Sequence, residues 1–142
     1  MKVVVDASVI VKWALPDSDR EANVPQALHL LAEIQAGRVE PIQPPHWLAE
    51  VAAVVTRLRP EIAEETLDLL DAMELPVAAD LAIYKRAIRI SAELRHHLFD
   101  TLYHAVALES DATLVSADGP YFRKSQHLGA ILALEDWGEA VG

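Results

Sequence analysis

The amino-acid sequence predicts a single α/β domain over residues 1–142, in three layers, with a mostly parallel central sheet flanked by helices. Short apolar runs alternate with segments of helical periodicity, the pattern left when helices cross over between parallel strands. No internal repeat, low-complexity tract or long linker divides the chain. Two acids, Asp6 and Asp118, stand just past apolar runs, where ligands bind in open sheets of this kind.

Val3-Val4-Val5 is short and β-branched, and reads as a buried strand ending at Asp6. Ser8 to Leu15 continues as a short helix that Pro16 stops. Pro25 to Ala36 is helical through Leu28, Leu31 and Ala32, with Gly37 as its stop. Pro41 to Pro45 marks a short extended piece and a turn. Over Trp47 to Leu58, residues Trp47, Val51, Val54, Val55 and Leu58 share one helical face, and Pro60 ends it. Ile62 to Met73 forms another helix with Leu67, Leu70 and Met73 inward, and Leu75 to Ala78 is a candidate short strand. Leu81 to Leu94 is helical through Ile83, Ala87, Ile90 and Leu94, and the next helix starts near Asp100 and runs to about Leu108. Thr113 to Ser116 is a strand leading to Asp118-Gly119, and Ile131 to Leu134 is a last short strand.

Hydrophobic residues make up 52% of the chain and charged residues 24%, which suits one continuous core rather than disorder. The absence of cysteine excludes a disulfide framework and a thiolate metal site, and makes a reducing cytoplasm the expected compartment. Only three valines separate Met1-Lys2 from Asp6, too few for a secretory apolar region. No stretch approaches the ~20 apolar residues of a membrane span, so no membrane association is expected. The net charge of −10 argues against a passive nucleic-acid binder. It is compatible with an enzyme that holds phosphate through cations on its own carboxylates, because the cation inverts the local charge.

Four carboxylates stand beside core-forming residues. Asp6 follows the three valines and reads either as a helix cap or turn former or as a ligand. Glu50 lies one turn from Trp47 and from Val54, on or beside the apolar face, where an unpaired carboxylate is expensive. Its alternative is an edge position paired with a base. Asp100, between Phe99 and the Leu102-Tyr103-Val106 helix, reads as that helix's cap or as a ligand. Asp118 before Gly119 reads as a turn residue or a ligand. If the four converge, a divalent cation or protonation must relieve their repulsion. Mg²⁺ and Mn²⁺ prefer such oxygen ligands, and the resulting site is suited to in-line attack of water on a phosphodiester.

The segments VVVDASVIVKW, PPHWLAEVAAVV and FDTLYHAVALESDATLVSAD, in this order, resemble the PIN-domain family, specifically the VapC-type toxins of bacterial toxin–antitoxin pairs. The likeness runs from Val3 to about Asp136. It implies a parallel sheet flanked by helices and an Mg²⁺- or Mn²⁺-dependent endoribonuclease leaving 5′-phosphate and 3′-hydroxyl ends. It further implies a homodimer and a cognate antitoxin protein that inhibits the nuclease. By position, Asp6 matches the first family aspartate, Glu50 the helix glutamate after the Pro-aromatic stretch, and Asp100 the aspartate before the Tyr-x-x-Ala helix. Asp118 matches the last aspartate, in Ser116-Ala117-Asp118. Ser8 and Ser116 fit the family's hydroxyl positions and are candidates to orient ligands or waters, or simply to cap helices. One departure stands out: Leu94-Arg95-His96-His97-Leu98 replaces the glycine-containing turn that family members often carry before the third aspartate. Lys12, Arg86, Arg89 and Arg123 are candidates to steer an RNA backbone, with ordinary solvated charges as the alternative.

Three rival readings compete with this one. A Mg²⁺-dependent phosphoryl-transfer domain, haloacid-dehalogenase- or receiver-like, wants a second acid near the first, which Val5-Asp6-Ala7-Ser8 lacks. A zinc site would use His96, Asp100 and His104, spaced i, i+4, i+8, but His96 would fall outside a helix that begins at Asp100. A non-catalytic interaction module of the same fold has no need of all four acids. Trp13, Trp47 and Trp137 are expected as core or dimer-interface anchors.

Overall fold

Val3, Val4 and Val5 are fully buried in β1 (Lys2–Val5), so both faces of this strand are covered, which is why it reads as a continuous apolar run. The computed structural model describes residues 1–15 and 22–138. β2 (Glu40–Pro41), β3 (Thr113–Ser116) and β4 (Ile131–Ala133) complete a parallel sheet in the order β2-β1-β3-β4. Val5 pairs with Val115, and Ser116 with Ala133. β2 sits at the edge, where Pro41 costs nothing: the ladder to β1 runs through Glu40 N to Met1 O and Ile42 N to Val3 O, both 2.9 Å, and the proline nitrogen is on the other side.

The helices described are α1 (Ala7–Ala14), α2 (Val24–Gln35), α3 (Trp47–Leu58), α4 (Ala63–Asp71), α5 (Leu81–Leu94), α6 (Leu98–Glu109) and α7 (Gly119–Ser125). α1 packs against α2, α3 and β3, while α6 packs against α5, β1 and β3. All three tryptophans are buried, and two spend their indole N–H internally: Trp13 on the Ala27 carbonyl at 2.8 Å, Trp137 on His29 Nδ1 at 3.0 Å. No helix among the described residues is long and apolar enough to cross a membrane.

Several expectations are corrected. α1 begins at Ala7 and ends at Ala14, and the expected Pro16 stop lies outside the described residues. The helix expected over 62–73 splits into a 3₁₀ turn at Pro60–Ile62 followed by α4, because Pro60 starts the turn early. The strand expected over 75–78 shrinks to a single bridge between Val77 and Gln43. α6 starts two residues before Asp100, with His97 as its cap in extended geometry, so Asp100 lies in the first turn. α7 was unexpected; Asp118 caps it and Pro120 lies in its first positions, start signals hidden by the Asp-Gly turn reading. Gly37, at φ +77, ends α2 in the left-handed conformation that favours glycine.

Candidate active site

The chain leaves β1 for β2 on one side and later returns to β3 on the other, so the strand order reverses between β1 and β3. In parallel sheets such a reversal opens a crevice outside the carboxyl ends of the strands. Asp6 follows β1 into this crevice, and Asp118 follows β3.

The end of β1 is held from both sides. The buried Gln43 amide accepts from Val5 N at 2.7 Å and donates to Val5 O at 2.9 Å. Asp6 N donates to Val115 O at 3.0 Å. Asp6 then caps α1, its Oδ2 accepting from Ser8 N at 3.1 Å and from the Ser8 hydroxyl. Ser8 Oγ accepts in turn from Ala117 N at 3.0 Å, tying the end of β1 to the end of β3. Asp118 Oδ1 caps α7 through Tyr121 N at 3.1 Å, and Ser116 Oγ accepts from Asp118 N at 3.1 Å. Asp6 and Asp118 are therefore helix caps, and the caps engage one oxygen of each.

Glu50 enters from the first turn of α3 and Asp100 from the first turn of α6. The Thr101 hydroxyl is shared between Leu98 O at 2.7 Å and Ala87 O at 3.1 Å, which holds the start of α6 on α5. Glu50 Oε1 lies 2.8 Å from His46 Nε2. That N–H serves Phe99 O at 2.8 Å, and Glu50 Oε1 is left buried without a hydrogen bond. Asp100 Oδ2 meets His96 Nε2 at 2.7 Å and His97 Nε2 at 3.1 Å.

Asp6, Glu50, Asp100 and Asp118 all line one open cleft of about 380 Å³. Ser8, the buried Lys12 and the exposed Arg57 line it too, with Val54 and Leu58 on its apolar side. Arg123 lines an adjoining hollow that shares Ala117 and Asp118 with the cleft. Arg86 is instead paired with Glu109 at 2.8 Å, and Arg89 is exposed on α5; neither lines the cleft.

Burial pushes the Asp6 carboxyl from 3.8 up to about 7, opposed by the Ser8 hydrogen bonds and reinforced by the charges of Asp100 and Glu50. Tyr103, fully buried, has its phenol pushed up by burial and then by Glu50, Asp6 and Asp100, and its hydroxyl stands near Glu50 without closing a well-formed hydrogen bond. An all-oxygen donor set, an unsatisfied Glu50 oxygen and a carboxyl that resists ionisation are what a hard divalent cation would relieve, so these residues fit Mg²⁺ or Mn²⁺. Gln43, His46, Arg57 and Tyr103 were not singled out from the sequence, although His46 is one turn before Glu50 and Tyr103 one turn after Asp100.

A parallel sheet with four acids lining a cleft at its topological reversal defines an α/β domain with its crevice at the switch point. More particularly, the sequence profile of the PIN domain matches residues 3–126, and the chain belongs to that family. No curated protein matches the chain in sequence at a significant level. Among solved structures, a toxin–antitoxin complex from Klebsiella pneumoniae is similar at TM-score 0.65 and 14% identity, covering 93% of this chain and 97% of that one. VapBC2 from Rickettsia felis, bound to a DNA fragment from its promoter, is similar at TM-score 0.66 and 17% identity, covering 94% and 97%. A protein from Pyrobaculum aerophilum gives TM-score 0.65 and 17% identity over 95% and 90%.

Proposed function

We propose that this chain is a divalent-cation-dependent endoribonuclease, the toxin of a type II toxin–antitoxin pair. The observation that carries the reading is the convergence of Asp6, Glu50, Asp100 and Asp118 on one open cleft at the reversal of the sheet. Membership of the PIN domain family supports nuclease chemistry, and likeness in fold to chains from toxin–antitoxin complexes supports an antitoxin partner. Leu81 and Ile88, seven residues apart on α5 and 68% and 58% exposed, support a second copy as a further partner. The cysteine-free composition supports a cytoplasmic setting.

Bound Mg²⁺ or Mn²⁺ would supply Lewis acidity at the phosphate and lower the pKa of water. The four carboxylates supply the oxygens that hold it. Ser8 and Ser116 fix where those oxygens stand, through Asp6 and through the Asp118 backbone. Lys12 and Arg57 place positive charge on the wall of an otherwise acidic cleft, which favours an approaching phosphodiester backbone. The openness of the cleft suits a single-stranded segment of RNA rather than a small ligand.

The test is cleavage of a mixed cellular RNA pool by purified, antitoxin-free protein. Discrete fragments should form with Mg²⁺ or Mn²⁺ and vanish with EDTA. Asp100→Asn should lower the rate by at least roughly 10–100-fold while the fold persists, because one of the anionic oxygens that would hold the cation is lost. Cleavage that survives both EDTA and Asp100→Asn would refute the reading.

A further inference from the structure

The turn between α5 and α6 carries chemistry that the proposed reaction does not use. α5 ends at Leu94, and Arg95 takes left-handed backbone at φ 52 and ψ 50. The turn delivers two consecutive imidazoles to one carboxylate. His96 Nε2 and His97 Nε2 stand 2.7 and 3.1 Å from the same Asp100 Oδ2. Their rings stack with centroids 4.6 Å apart and planes at 28°. One ligand atom from each of the three residues lies within 4.8 Å of the others.

We propose that His96, His97 and Asp100 bind a borderline transition-metal ion of the Zn²⁺ or Co²⁺ kind, at a site distinct in chemistry from the all-oxygen cleft but sharing Asp100 with it. Imidazole nitrogen favours these ions over Mg²⁺. With bonds of ~2.1 Å, ligand atoms around a tetrahedral zinc stand about 3.4 Å apart. From the Asp100 oxygen, at 3.1 and 2.7 Å, His97 Nε2 is about 0.3 Å and His96 Nε2 about 0.7 Å short of that spacing, so a small opening of the three side chains admits the ion. Three protein ligands leave the fourth position open to water. His104, which the i, i+4, i+8 spacing offered as a ligand, is committed elsewhere. Its Nε2 donates to Gly129 O at 2.7 Å and its Nδ1 accepts from the Tyr121 hydroxyl at 2.9 Å.

Lys124 sets the competition. Its Nζ lies 3.3 Å from His96 Nδ1, so the ammonium donates there and Nε2 carries the ring hydrogen toward Asp100. An ion on Nε2 moves that hydrogen to Nδ1 and displaces the exposed lysine. Removing Lys124 therefore tightens binding.

The site stands independently of the nuclease reading. The experiment titrates the whole protein with Co²⁺ in excess Mg²⁺ and follows visible d–d absorption, with Zn²⁺ as competitor. One equivalent of Co²⁺ should bind with imidazole-type absorption, and Zn²⁺ should displace it. His96→Ala and His97→Ala should each weaken binding at least roughly tenfold, and Lys124→Ala should strengthen it. Co²⁺ binding unaltered by both histidine variants would place the ion in the carboxylate cleft and overturn the proposal, as would the absence of any spectral change. RNA cleavage in Mg²⁺ does not enter this measurement, so either idea can fail without the other.

Discussion

The interior and the cleft of this protein treat buried polar groups in opposite ways. In the interior, Gln43 matches both backbone groups of Val5, Thr101 finds carbonyls on two helices, and Ser125 donates to Tyr121 O. His104 is fully buried yet has partners at both ring nitrogens, and burial holds it neutral by pushing its pKa down. Around Glu50 the rule fails. Glu50 Oε1, His46 Nδ1 and Tyr103 Oη are three of the four buried side-chain atoms left without a hydrogen bond among the described residues. Such exceptions mark places where selection served something other than stability. The interior's polar groups are matched to each other, whereas Glu50, which lines the cleft, and its neighbourhood keep unmatched ones.

The largest expected effect tests the interior side. Gln43→Leu strips the partners from Val5 N and Val5 O, leaving two buried backbone groups unpaired at about 1–3 kcal/mol each. Chemical denaturation should show a loss of roughly 3–4 kcal/mol. A loss under about 1 kcal/mol would show that water replaces the amide.

Asp6→Asn tests the cleft side with the opposite sign. Asp6 holds its proton up to about pH 7 when folded and to about 3.8 otherwise. Between those values the folded state carries the extra proton, so stability is full below about pH 4 and falls as pH rises toward 7. Metal-free protein at pH 8 should therefore gain roughly 2–4 kcal/mol from Asp6→Asn, and lose RNA cleavage. Thermal melts across pH 4–8 check the sign; a variant less stable than the parent at pH 8 would make Asp6 a structural cap first. Adding Mg²⁺ should stabilise the parent and reduce the fall with pH, since the ion binds only the folded, ionised cleft.

Arg95→Gly should stabilise by about 1 kcal/mol, because the left-handed backbone penalises a side chain and not glycine. Tyr103→Phe is expected to change stability by less than about 0.5 kcal/mol, far below the usual cost of deleting a bonded hydroxyl. A substantially larger loss on melting would mean that the Tyr103 hydroxyl has a partner and that the contrast between cleft and interior is overstated.

Local signals made much of the fold legible. The bounds of α3, α5 and β3 follow from apolar periodicity and from Pro or turn residues beside them. The strand expected at 75–78 failed because pairing depends on a distant partner, and only Val77 finds one. α7 was hidden because Asp118-Gly119 serves equally as a turn and as a helix start. Helical spacing placed Glu50 at the edge of the apolar face, yet nothing in that spacing said what it would face.

The alternation of strands and helices, the placing of Asp6 and Asp118 at strand ends, and the resemblance to the PIN-domain family are legible in the chain alone, because each is written in neighbours along it. Packing in three dimensions brings Glu50 and Asp100 to the same cleft, lines it with Lys12 but not with Arg86 or Arg89, and sets His97 rather than His104 beside His96 on Asp100. Those outcomes depend on the crossover of β1 and β3 and on one left-handed residue, Arg95, which breaks the helical register that spacing alone assumes.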